Sequence, residues 1–87
     1  MSVAKITYNA RVRLGGNVKP VSQAIFATLL TDYGEKVLQQ SVANWERGLH
    51  KPRRGMLTRL QLRTAGSEHS RTKIVNEWAS GILEGAE

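Results

Sequence analysis

The chain has no cysteine. That absence removes a disulfide framework, a thiolate zinc site and a cysteine nucleophile together. Histidine is scarce as well: His50 and His69 are the two present, too few and too far apart to suggest a metal site. No apolar run approaches the roughly 18 residues that span a bilayer. The first residues lack the charged segment, apolar stretch and small-residue cleavage site of a secretory leader, so a cytoplasmic location is expected. There is no nucleophile–base pair and no phosphate-cradling glycine loop. The expectation is therefore no enzyme, no cofactor and no small-molecule substrate.

Acidic residues are missing from two long stretches. Residues 1–31 carry Lys5, Arg11, Arg13 and Lys19 with no acid, and residues 47–63 carry Arg47, Lys51, Arg53, Arg54, Arg59 and Arg63 with no acid. The segment between them and the segment after them are mildly acidic. Thirteen basic against seven acidic side chains leave a formal charge of +6 over 87 residues. A clustered positive field suits a polyanionic partner, although a solvated basic face gives the same counts. With 40% apolar and 23% charged residues the composition is that of a globular domain. A chain this short buries only roughly 60% of its unfolded surface, which makes self-association natural.

Residues 3–14 fit two periods. Ile6, Tyr8, Ala10, Val12 and Leu14 alternate with polar residues as in a strand, whereas Val3, Ile6, Ala10 and Leu14 fall near one helical face. Gly15-Gly16 ends either element. Pro20 and Ser22 then signal a helix start, followed by the stripe Ala24, Ile25, Phe26, Leu29 and Leu30. Thr31-Asp32-Tyr33-Gly34 is turn-rich. The spacing predicts a second helix over Gln39–Arg47 with Val42 and Trp45 on one face and Gly48 as its stop. A third runs from about Arg54 to Arg63, and a last from about Ser70 to Leu83 with Ile74, Val75, Trp78, Ile82 and Leu83 as its stripe.

The ordered set Ser22, Gln23, Phe26, Ala27, Leu30, Val42, Trp45, Glu46, Gly48 and Pro52 resembles the helix-turn-helix domain of the Cro and phage-repressor type, the XRE family. It covers about half of the chain. The resemblance implies an all-α fold, a compact bundle of about five short helices, with residues 1–66 as the DNA-binding domain. This sequence departs from the pattern in two places. More residues separate Phe26 from Trp45 than the family usually has, which enlarges the turn around 32–38. Leu38 stands where a Ser or Thr cap is usual.

A recognition helix buries one face and offers short polar groups near its N-terminus. Val42 and Trp45 supply the first. Gln39, Gln40 and Asn44 supply the second, since Gln and Asn bond bidentately to adenine in the major groove. Ser41 contacts a base or phosphate, or only shapes the helix start. The resemblance also implies roles for other residues. Gln23, at the start of the preceding helix, clamps a phosphate. Phe26 and Trp45 are core, and Glu46 pairs with Arg13 or Arg11. Arg47, Lys51, Arg53 and Arg54 follow the recognition helix and are expected on the phosphate backbone.

The functional expectation is a sequence-specific transcriptional regulator, a repressor by family tendency, that binds operator half-sites as a homodimer. The alternative is a protein-interaction module such as an antitoxin or adaptor with secondary DNA binding. Residues 67–87 are expected to dimerise through Trp78, Ile82 and Ile74; packing of Trp78 back onto residues 3–14 is the competing arrangement.

Overall fold

The computed structural model describes residues 1–86. Helix α1 spans Val3–Leu14 and starts where the Ser2 hydroxyl accepts the Lys5 N–H at 3.1 Å. Its buried residues are Val3, Thr7, Ala10 and Arg11, a repeat of three and four. The strand pattern of residues 3–14 is therefore not used. A strand needs a partner for its backbone groups, and no strand forms among the described residues. The helical period instead gives α1 one face to pack.

Helix α2 spans Gln23–Asp32, capped by Ser22, whose hydroxyl accepts the Ile25 N–H at 3.0 Å. Phe26, Ala27 and Leu30 point into the core. Helix α3 spans Gln39–Glu46 and buries Val42 and Trp45. Leu38 occupies its cap position in an extended conformation and supplies no side-chain bond. At the far end Gly48 adopts φ +75°, which lets its N–H reach Trp45 O at 3.2 Å and the Leu49 N–H reach Asn44 O at 3.0 Å. This left-handed turn satisfies the last carbonyls of α3 and stops it. Helices α4 (Arg54–Thr64) and α5 (Ser70–Leu83) complete an all-α fold, with five helices among the described residues. None of them is long and apolar enough to cross a membrane.

α4 packs on α5, α2 on α3, and α1 on both α5 and α3. The indole of Trp78, on α5, sits where these layers meet and is 2% exposed. It meets the Phe26 ring edge-on at 5.2 Å between centroids and lies 5.6 Å from the Trp45 ring. Such pairs add about 0.5–1.5 kcal/mol each beyond area burial. Its Nε1–H donates to the Thr7 hydroxyl at 3.0 Å, and Thr7 is fully buried. A second buried hydroxyl, Thr64, donates to Leu60 O at 2.6 Å and accepts from the Asn76 amide at 3.1 Å, which ties α4 to α5.

These contacts correct the dimerisation assignment. Ile74, Trp78 and Ile82 are 9%, 2% and 8% exposed within a single chain. Their stripe packs onto α1 and the aromatic cluster, so using it between copies would require opening the core. Nor does Gly66 separate two units, because α5 completes the core that residues 1–66 begin. The physical reason is size: helices this short lack enough apolar surface to close around Phe26 and Trp45 without a fifth.

Truncation after Gly66 should therefore unfold the remainder, seen as loss of helical circular dichroism well beyond the α5 share; a folded fragment would restore the two-unit reading. Thr7→Val, which keeps the shape and leaves the Trp78 N–H unpaired, should destabilise the chain by about 1–3 kcal/mol in denaturant unfolding.

Candidate nucleic-acid interface

The orientation of α3 is set by one ion pair. Arg11 Nε and Nη2 donate to the two Glu46 carboxylate oxygens at 2.7 and 2.6 Å. Both side chains are nearly buried, at 11% and 12% exposure. The remaining Arg11 nitrogen Nη1 donates to Val21 O at 2.8 Å, and the guanidinium lies 5.3 Å from the centre of the Tyr8 ring. One side chain thus joins α1, the link into α2, and the end of α3. The planar fork of arginine makes this possible, since its three nitrogens reach the two carboxylate oxygens and the carbonyl in fixed directions, whereas a lysine offers all its donors from one nitrogen.

Arg13 is not the partner of Glu46. Arg11 follows Thr7 by four residues and shares its inward face, whereas Arg13 is turned toward α5 and pairs with Glu77 at 2.6 Å. Gln23 lies at the first turn of α2 as expected, half-buried, and its amide makes a long 3.4 Å bond to Glu46. It therefore stands beside α3.

With Val42 and Trp45 turned in, α3 presents Gln39, Gln40 and Arg47 as exposed residues, and Ser41 and Asn44 as half-buried ones. Gln40, Asn44 and Arg47 form one row. The Asn44 Oδ1 accepts from Gln40 Nε2 at 3.0 Å and from Arg47 Nη2 at 3.1 Å. The positions i, i+4 and i+7 bring them together on the helix surface. The two amides form a set of donors and acceptors that suits base edges, and the Arg47 guanidinium at the end of the row suits a phosphate.

Beside this row lies a polar cleft of about 560 Å³. Ser41 and Asn44 line it from α3, Lys51 and Arg53 from the loop after α3, and Lys36 from the turn before it. His50 and Arg59 also reach it. Gln39, Gln40, Arg47 and Arg54 lie outside the cleft. Arg54 is exposed at the first position of α4, next to Arg53. Among the described residues, none of Lys36, Arg47, Lys51, Arg53 and Arg54 has an acidic partner.

The enlarged turn was the part of the site that sequence patterns described least, and its anchor is Glu35. This carboxylate is 7% exposed, accepts from Arg59 at 2.9 and 2.8 Å, and also accepts from Arg63. The Arg59 bonds, helped by those of Arg63 and opposed by burial, hold the Glu35 carboxyl down at about 2 from an ordinary 4.5. The same contact raises Arg59 above its ordinary range. Gly34 makes room: it has φ +99°, and a Cβ there would stand 2.9 Å from the Arg63 guanidinium. A signal was present in the sequence, namely an acid in the middle of the enlarged turn and two arginines spaced i, i+4 on one later helix. Nothing local says that they meet.

A separate apolar groove of about 420 Å³ runs along α2, lined by Leu14, Val21, Ala24, Ile25, Thr28 and Leu29 with Asp32 and Arg71 at its edges. Ile25 is 57% exposed there.

Because the Glu35 carboxyl is lowered in the folded chain, its stabilising effect is complete above an ordinary carboxylate pKa and is lost as pH falls from about 4.5 toward 2. Glu35→Gln should destabilise the chain at neutral pH by about 1–3 kcal/mol, since both arginines are half-exposed and screened. That deficit should shrink between about pH 4.5 and 2 in a denaturant series, as the wild type itself loses the pair. A constant deficit across this range would show that the carboxylate charge is not what holds the turn.

No family model matches the chain, and neither a curated protein nor a solved structure does, so the reading of this surface rests on its own residues and geometry.

Proposed function

We propose that the chain is a sequence-specific DNA-binding regulator of transcription, a cytoplasmic repressor in its simplest form, with α3 as the helix that enters the major groove. One observation carries this reading. The outward row Gln40–Asn44–Arg47 is pre-ordered by its own hydrogen bonds and lies beside a cleft whose lining includes Lys36, Lys51 and Arg53, none of them with an acidic partner among the described residues. Base-reading groups flanked by backbone-neutralising charge are the two parts that DNA recognition needs. Gln39, Gln40, Asn44 and Ser41 are assigned to bases. Gln23, Arg47, Lys51, Arg53 and Arg54 are assigned to phosphates.

Phe26 and Trp45 support the surface from within, and Glu46 keeps α3 at a set angle through Arg11. A module of this size covers one half-site, so two copies on a two-fold operator gain the specificity that one lacks. Their mutual contact then lies outside the Ile74–Trp78–Ile82 stripe.

A second reading, a protein-interaction module such as an antitoxin or adaptor, draws on the apolar groove along α2 and its exposed Ile25. Selection from a random duplex library separates the two. The first reading expects a recurrent half-site motif. Folded protein that enriches no motif would move the argument to the groove.

On a selected site, Gln40→Ala should lose about 1–3 kcal/mol and relax preference at one base position. Arg53→Ala with Arg54→Ala should weaken all sequences about equally. Competition binding against single-base variants of the site checks both. An unchanged preference in Gln40→Ala would displace α3 as the reading helix.

A further inference from the structure

The segment 33–38 joins α2 to α3, and its length departs from the compact turn that the sequence pattern implies. It is held along its length. The Tyr33 hydroxyl and the Thr72 hydroxyl lie 2.6 Å apart, and Arg63 donates to Tyr33 O at 3.0 Å. Glu35 is clamped by two arginines. The Thr31 hydroxyl accepts the Val37 N–H at 3.2 Å and donates to Ala27 O at 2.9 Å. Burial alternates accordingly: Glu35 and Val37 are buried, while Gly34, Lys36 and Leu38 are exposed. This is a fixed strap rather than slack chain, and it aims Lys36 outward at a set place.

That place is the polar cleft beside α3. Lys36 lines it from the strap, Ser41 and Asn44 from α3, and Lys51 and Arg53 from the following loop. The one carboxylate in its wall, Glu35, is already neutralised by Arg59 and Arg63. The cleft therefore presents cations on two sides and uncharged donors on a third. An anion with several oxygens fits such a lining. Trp45 is 5% exposed and packs on Trp78, so it offers no open ring for a base to stack on. With no open Trp, Tyr or Phe ring in its lining, the cleft suits the sugar-phosphate backbone of a duplex better than an unpaired base.

We infer that the strap is itself a DNA-contacting element, in which Lys36 closes the cleft over a backbone phosphate that Lys51 and Arg53 hold from the opposite end of α3. The inference rests on the proposed DNA-binding function and adds a contact that the turn of an ordinary helix-turn-helix would not supply. It also accounts for the rigid anchoring of 33–38, because a point charge on a mobile loop loses entropy when it binds.

Lys36→Gln tests it. Lys36 is exposed and makes no hydrogen bond or ion pair among the described residues, so the variant should melt with the wild type. The plot of log affinity against log salt should flatten by about 0.9, and affinity at low salt should fall roughly three- to tenfold on every duplex. A scan with single methylphosphonate linkages locates the contact. One linkage should weaken the wild type and leave Lys36→Gln unaffected, and the same linkage or its neighbour should behave alike for Lys51→Gln. Lys73→Gln, on the exposed surface of α5, should change neither readout.

If Lys36→Gln keeps the wild-type slope and the wild-type response at every linkage, the strap is structural only and this inference falls while the function stands. If inorganic phosphate at constant ionic strength binds the wild type through Lys36 yet leaves its affinity for the duplex unchanged, the cleft is a free-anion site apart from the DNA and the inference likewise falls. If the wild type binds no duplex, both readings fall together.

Discussion

Everything in this fold depends on finding room for one indole. Trp78 reaches from α5 to the Phe26 ring of α2, the Trp45 ring of α3 and the Thr7 hydroxyl of α1. A tryptophan can hold such a position only if its N–H has a partner, since an unpaired buried donor costs about 1–3 kcal/mol. Thr7 is that partner, which explains a polar residue with no exposure in the middle of α1. Trp45 links this buried centre to function. It is the inward side of the same short helix whose outward side carries Gln40, Asn44 and Arg47, so packing at one end fixes what is presented at the other.

The chain sorts its charges by the same logic. Two carboxylates, Glu46 and Glu35, are nearly enclosed, and each is answered by arginine rather than lysine. Arginine meets both carboxylate oxygens at once, and Arg11 still keeps a donor for the Val21 carbonyl. Arg11, Arg59 and Arg63 are thereby committed to holding α3 and the strap before it. The cations left without acidic partners beside α3, Lys36, Arg47, Lys51, Arg53 and Arg54, are those grouped around its exposed face and cleft. A net charge of +6 would be compatible with an evenly spread surface. The pairing leaves it open beside α3, because Glu35 and Glu46 are spent on structural arginines and not on the cations that face outward.

Much of the helix map was legible in the residues. Ser22 marks the start of α2, Gly48 the stop of α3, and the stripe of α5 falls where the apolar spacing puts it, because each depends on neighbours within a turn or two. Leu38 shows the boundary of that legibility. Local rules ask for a hydroxyl or carboxamide at that cap, and the helix starts there without one. Residues 3–14 show it again: two periods fitted, and the choice fell to helix only because α5 and α3 offer a packing face and no strand is present among the described residues to pair with.

The residues by themselves determined the type of the last four elements, the two-sided character of α3 and the surplus of positive charge. These are local or additive properties. Tertiary structure decided which arginine meets Glu46, that the α5 stripe closes the protomer's own core, and that Glu35 draws Arg59 and Arg63 onto the strap. Each of those outcomes joins residues more than twenty positions apart. Their spacing along the chain says nothing of the distance between them until the aromatic centre has brought the helices together.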